Sequence, residues 1–251
     1  MSEMMLTTTS LIKRYGGVLA TDNVSMEVRK GELHAVIGPN GAGKTTLLAQ
    51  LAGEIRPDSG AICFAGEDVT ILPSYARAAR GIGRSFQINS IFRDFTALQN
   101  VALAVQVRSG HSFHFWRQVR SNSMWREEAL GLLARVGLEA RADVLAAQFA
   151  HGEKRALELA IALASRPQML LLDEPTAGMG PDESLRIVQL LKALKGQVTI
   201  LLIEHDMTAV FALADRITVL VYGRVIATGA PEEIRQHDEV RRAYLGEDLD
   251  Y

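Results

Sequence analysis

At 251 residues the chain is long enough for one large domain, or two closely packed lobes, around a substantial core. Its formal net charge of −2 supplies no basic footprint for nucleic acid, so no nucleic-acid partner is expected. A single cysteine, Cys63, excludes an internal disulfide, and no run reaches the ~18 apolar residues of a membrane span, so the expectation is a soluble cytosolic protein.

In chain order, Met5 to Ile12 and Val24 to Val28 carry strand patterning. The apolar segment LHAVIG, Leu33 to Gly38, then runs directly into GPNGAGKTT, and a helix from Lys44 to Leu51 follows, closed by Gly53. From about Leu98 to Ser165 the signals are mostly helical, interrupted by an aromatic and basic insertion, RSGHSFHFWRQVRS, Arg108 to Ser121. His111 and His114 in that insertion have no cysteine or carboxylate nearby to complete a metal set, and a solvated loop is its plain reading. Two continuous apolar runs, MLLLD (Met169 to Asp173) and VTILLIEH (Val198 to His205), flank a helical segment from Ser184 to Leu194 and imply a parallel-sheet core. RITVLVYGRVIATG then reads as two short strands joined near Tyr222 and Gly223, with a polar helix from Pro231.

The run from Gly38 to Thr46 is a nucleotide-phosphate cradle. Gly38, Gly41 and Gly43 let the backbone turn so that successive N–H groups and the helix N-terminus point at one anionic spot, with Pro39, Asn40 and Ala42 completing the loop. Lys44 supplies a point charge for the β- and γ-phosphates, and the Thr45 hydroxyl, followed by Thr46, suits Mg²⁺. Asp173, at the end of an apolar parallel strand, puts a second Mg²⁺-holding oxygen at the sheet edge, and Glu174 is placed to orient or deprotonate an attacking water. Alone, such an acidic pair also reads as the cap of the next helix; the cradle selects the catalytic reading.

With these motifs in order, the chain resembles the ATP-binding subunit of ABC transporters over essentially its whole length. The resemblance implies an α/β fold: a P-loop core with a mostly parallel sheet, an N-terminal antiparallel β part and an inserted helical lobe. It implies one nucleotide-binding domain over 1–251, with the core at 1–95 and 166–251 and the helical lobe at 96–165. It assigns Tyr15 in KRYGG to stacking on adenine, Gln87 in GRSFQ to the metal and the attacking water, and His205 in LLIEHD to the γ-phosphate. Singly these also read as a surface tyrosine, a turn glutamine and a strand-end histidine; the order of the motifs selects the functional reading. The cofactors implied are ATP and Mg²⁺.

Family members begin a helix with an LSGGQ-like loop that closes over ATP held by a second ATP-binding subunit. The corresponding stretch here reads Phe149, Ala150, His151, Gly152, Glu153, so the serine hydroxyl is missing and glutamate replaces glutamine. Gly180 stands where many relatives carry an aspartate. These departures predict that this chain's loop forms the weaker of two unequal sites, and that Ala150→Ser raises turnover. One lost donor to a phosphate costs ~1.5–3 kcal/mol.

DEPTAGM, the segment YARAARGIGRSFQINSIFRDFTALQNVALA, the insertion and the ending AYLGED look most like ATPases of bacterial branched-chain amino acid importers. That resemblance implies as partners two transmembrane permease subunits, a second ATP-binding subunit (a related paralogue, or a copy of this chain) and, indirectly, a periplasmic binding protein, at the cytoplasmic face of the inner membrane. Ile88 to Phe95, with the exposed-looking Ile91 and Phe92, is the expected permease contact. The alternatives are a urea-importer ATPase, a lipopolysaccharide-export ATPase, which IGR, SIFR and YLGED also resemble, and a soluble ABC ATPase of translation or DNA repair.

Overall fold

The computed structural model describes residues 3–84, 91–108 and 123–245. They fall into two compact units, one comprising Met1–Ile82, Met169–Glu174 and Leu194–Tyr251, the other Gly83–Gln168 and Pro175–Ala193.

The first unit contains two sheets. One is four-stranded and antiparallel, in the order β2 (Val18–Arg29), β1 (Met4–Tyr15), β4 (Ser59–Phe64), β5 (Glu67–Asp68). The other is six-stranded, in the order β10 (Arg224–Gly229), β9 (Arg216–Val221), β3 (Leu33–Ile37), β8 (Thr199–Ile203), β7 (Met169–Asp173), β6 (Ile82–Arg84). Strands β9, β3, β8 and β7 run parallel, and β10 pairs antiparallel to β9. Every residue of β3, β7 and β8 is buried. Strands covered on both faces have no polar side to alternate with, hence the continuous apolar runs in the sequence.

Strands β1 and β2 extend well beyond Met5–Ile12 and Val24–Val28. Polar stretches such as Thr7 to Ser10, and register shifts between Thr8 and Leu11, hide the alternation over their remaining lengths. Strand β4 opens with three exposed residues and gains its place by pairing with β1, Leu6 opposite Phe64, a long-range contact with no local signature. The core of this unit joins both sheets to helix α1 (Lys44–Ala52), with Leu6, Leu11, Val36, Leu47, Leu48, Leu51, Ile62, Phe64, Leu171 and Leu201 in one cluster. Gly53 ends α1 in the left-handed conformation, φ 76°, as its position in the sequence predicts. Behind α1, in α2 (Ser74–Ala79), Arg77 is 1% exposed and donates to Gln50 O, Leu51 O, Leu72 O and Thr70 O at 2.7–3.0 Å. Burial lowers its guanidinium to about 10, against the opposing charge of Asp68.

The second unit is helical: α3 (Ala97–Arg108), α4 (Ser123–Arg135), α5 (His151–Ala164) and the body of α6 (Pro181–Leu194). Thr96 and Gln99 close a reciprocal box at the start of α3, with Thr96 N–H donating to Gln99 Oε1 at 2.8 Å and Gln99 N–H to Thr96 Oγ1 at 3.2 Å. Arg108 forks onto both oxygens of Glu128 at 2.7 and 2.8 Å, and Arg166 reaches the same carboxylate at 3.1 Å. These arginines hold the Glu128 carboxyl below its usual range, the Arg108 hydrogen bond being the larger influence.

Candidate nucleotide-binding site

Strand β3 delivers the chain into the loop at Gly38, φ 152°, and Gly43, φ 100°, precedes α1. A Cβ at Gly38 would collide with Leu220 O and one at Gly43 with Ala20 O, so both glycines are demanded by close backbone approach as well as by φ. Gly41, φ 81°, faces open space. Helix α1 has no acidic residue in its first turn and no side-chain cap, which leaves its N-terminal amides to an external anion. Lys44 is buried and folds back on the loop, Nζ donating to Gly38 O at 2.6 Å and Pro39 O at 3.0 Å. Burial pushes its ammonium below the usual lysine range, while Glu174 and then Asp173 oppose that shift by their charge. The cradle and the acidic pair are therefore electrostatic neighbours.

Asp173 is a buried carboxylate, and Glu174, held by its N–H on Ile203 O at 2.9 Å, sits at φ 46°. A left-handed non-glycine residue is strained, and strain of this kind concentrates at functional positions. His205 Nδ1 lies 3.7 Å from Glu174 Oε1 and is the more exposed of the two. The residue before His205, Glu204, carries no motif signal in the sequence. Its buried carboxylate accepts from the backbone N–H of His205 at 3.0 Å, which fixes where the histidine leaves β8. Asp206 then caps α7 (Met207–Leu213) by accepting from Thr208 N–H and Ala209 N–H. Its glutamate–histidine–aspartate spelling offers no periodic signal, and only the strand end makes it legible.

Tyr15 ends β1 at 47% exposure, with Lys13 Nζ 5.7 Å from the ring centroid. Thr45 is exposed at the first turn of α1, Thr46 is half-buried and Ala42 buried. The Thr45 hydroxyl and the Asp173 carboxylate are hard oxygen donors. With water and nucleotide oxygens they suit Mg²⁺, which needs few protein ligands. Gln87 lies outside the described residues.

In the second unit, Ala150 is the N-cap of α5, with no side-chain cap. Glu153 Oε2 accepts from Ala150 N–H at 2.9 Å and is 3.5 Å from Arg141 Nη2. His151 Nε2 is 3.3 Å from Ala177 O, and a Cβ at Gly152 would lie 3.1 Å from Glu183 Oε1. The start of α5 is thus lined by two carboxylates. Phe92 and Phe95 are exposed, their ring centroids 5.2 Å apart, whereas Ile91 is half-buried rather than exposed.

A β-strand, glycine loop and helix facing a strand-end acidic pair define a nucleoside-triphosphatase. Residues 21–177 match the ABC transporter family, and this chain belongs to it, as an ATPase cassette. Residues 224–250 match the branched-chain amino acid ATP-binding cassette transporter family. The chain is 39% identical, over 98% of its length and 100% of the relative, to the high-affinity branched-chain amino acid transport ATP-binding protein LivG of Salmonella typhimurium. It is 37% identical, with the same coverage, to BraF of Pseudomonas aeruginosa, a protein of the same description. It is also 36% identical, over 97% of this chain and 98% of the relative, to the lipopolysaccharide export system ATP-binding protein LptB of Escherichia coli. Among solved structures, the ADP conformation of an ABC transporter cassette matches with a TM-score of 0.85 at 28% identity, covering 97% of this chain and 99% of that one. A dimeric cassette in a post-hydrolysis state bound to ADP and Pi matches with a TM-score of 0.76 at 25% identity, covering 90% of this chain and 99% of that one.

Proposed function

We propose that this chain is the ATP-hydrolysing subunit that energises an importer of branched-chain or other hydrophobic amino acids. The observation that carries the reading is the match of residues 224–250 to the branched-chain amino acid cassette family, which adds to the full-length likeness to LivG and BraF. Export of lipopolysaccharide is the second reading, favoured by the 36% identity to LptB.

In this reading, the amides from Gly38 to Thr46 bind the phosphates, Lys44 leaves its loop carbonyls for the β- and γ-oxygens, and the Tyr15 ring stacks on adenine. Glu174 orients and deprotonates the attacking water, and His205, at 3.7 Å from it, holds the γ-phosphate side of the site. Thr45, Asp173 and Gln87 would hold Mg²⁺, which supplies neutralisation of the charge developing on the β- and γ-oxygens. Ala150 to Glu153 face the nucleotide of a second ATP-binding subunit, and Phe92 with Phe95 contact the permease. No described helix is long and apolar enough to cross a membrane, so the chain would work as a peripheral subunit on permease partners at the cytoplasmic face. A periplasmic binding protein would act only through those partners.

Purifying the tagged chain from its own membranes in mild detergent, and identifying by mass what accompanies it, tests the reading. Two permease subunits and a second, related ATPase are expected. A self-paired ATPase on export subunits would favour the second reading, and no membrane protein at all would contradict both.

A further inference from the structure

An anion cradle works only if its N–H groups line the concave side and its carbonyls turn outward. Here Lys44 Nζ holds Gly38 O and Pro39 O, and Ala42 N–H also reaches Pro39 O, at 3.1 Å. Each of these donors belongs to the loop or to the helix it opens. The carbonyl of Ala42 is held differently: Gly223 N–H, 181 residues away in the chain, donates to it at 2.9 Å.

Gly223 lies in the turn between β9 and β10. Tyr222, φ 47°, and Gly223, φ 77°, are two consecutive left-handed residues, the backbone of a two-residue hairpin turn that usually carries Asn-Gly. Tyr222 is 86% exposed in a conformation that strains a bulky residue. The turn is seated on β2 by Asp22 N–H donating to Gly223 O at 2.8 Å and by the ion pair of Arg224 Nε with the Asp22 carboxylate. A Cβ at Gly223 would meet Ala20 O at 3.0 Å and Leu19 O at 3.2 Å. The same Ala20 O presses on Gly43, and Leu220 O, from the strand leading into the turn, presses on Gly38. The loop is wedged at both bracketing glycines, by β9, which leads into the turn, and by β2, on which the turn is seated.

We infer that the β9–β10 turn positions the phosphate loop: Gly223 N–H turns the Ala42 carbonyl away from the bound phosphates, and Asp22 with Arg224 holds the turn in register. Gly223, Asp22 and Arg224 are positioning residues that set affinity for nucleoside di- and triphosphates without touching them. The inference rests on the nucleotide-binding reading above.

The test is calorimetric titration of the purified chain with ADP, together with KM and kcat for ATP. Gly223→Ala is expected to raise the ADP Kd and the ATP KM about tenfold while saturated turnover stays within about twofold, the scale of one displaced hydrogen bond. Asp22→Ala and Arg224→Ala are each expected to raise the ADP Kd about two- to threefold, and the double variant no further than either single, as for an exposed coupled pair. Tyr222→Asn, which keeps a left-handed turn, should leave Kd unchanged and raise Tm. If Gly223→Ala does not fold, Asp22→Ala and Arg224→Ala decide. ADP affinity unchanged across the folded variants, or KM, kcat and Tm falling together, would overturn the positioning role. A wild-type chain that binds no ADP would remove the nucleotide-binding reading itself, a different result.

Discussion

Two helix starts in this chain, α1 and α5, use the same backbone physics in opposite directions. At α1 the first turn carries no acid, the cap has no side chain and Lys44 adds a positive charge, so the free amides and the helix dipole are left for a ligand. At α5 the cap is again without a side-chain donor or acceptor, yet Glu153 accepts from Ala150 N–H and the Glu183 carboxylate lies against Gly152. One amide of that end is satisfied from within, and the end carries negative charge of its own. A helix N-terminus is therefore a weaker anion site the more the protein's own carboxylates crowd it.

Lys44 carries most of the difference between the two helix starts. Lys44→Ala is expected to weaken ATP binding at least about a hundredfold, because a partly buried charge is removed from the phosphates; titration with ATP measures it. Next comes Arg77, which holds the carbonyl end of α1. Arg77→Ala abandons four carbonyls and is expected to cost about 2–4 kcal/mol by denaturant unfolding, lowering ATP affinity only in proportion to the unfolded fraction. A smaller effect sharpens the α5 side: Ala150→Ser combined with Glu153→Gln should raise ATP turnover about two- to fivefold in the assembled transporter. No gain would remove the negative charge at α5 as a limit on rate. The smallest is a pH effect. Burial depresses the Lys44 ammonium, so ADP affinity should begin to fall on the alkaline side at a lower pH than an ordinary lysine would give. The protonated form favours the anion, affinity is therefore lost as pH rises through the depressed value, and Lys44→Arg should flatten that limb of the titration.

The cradle was legible in the sequence because its chemistry is local. A strand, glycines at fixed offsets, Lys44 and Thr45 all fall within one short run, and MLLLD ends on its carboxylate for the same reason. The parallel core was legible through uninterrupted apolar runs, and the hairpin through Tyr222–Gly223 between two strands. What stayed hidden is carried by backbone groups distant in sequence. The carbonyls of Ala20 and Leu220 that demand Gly43 and Gly38, and the Gly223 N–H on Ala42, have no side chain to betray them. Glu204 behind His205 and Glu183 beside Gly152 needed the fold to bring them to their places. The chain from buried Glu32, His34 and Thr218 out to the exposed Thr228, with links of 2.7–2.9 Å, was equally invisible in the sequence.

The strained glutamate after β7 is expected to drive hydrolysis at a cradle that binds nucleotide independently of it. Glu174→Gln tests this most directly, with ATP affinity by titration and phosphate release in the same preparation. The account predicts affinity within a few-fold of wild type and turnover lower by about 10²–10⁴. Turnover near the wild-type rate would contradict it.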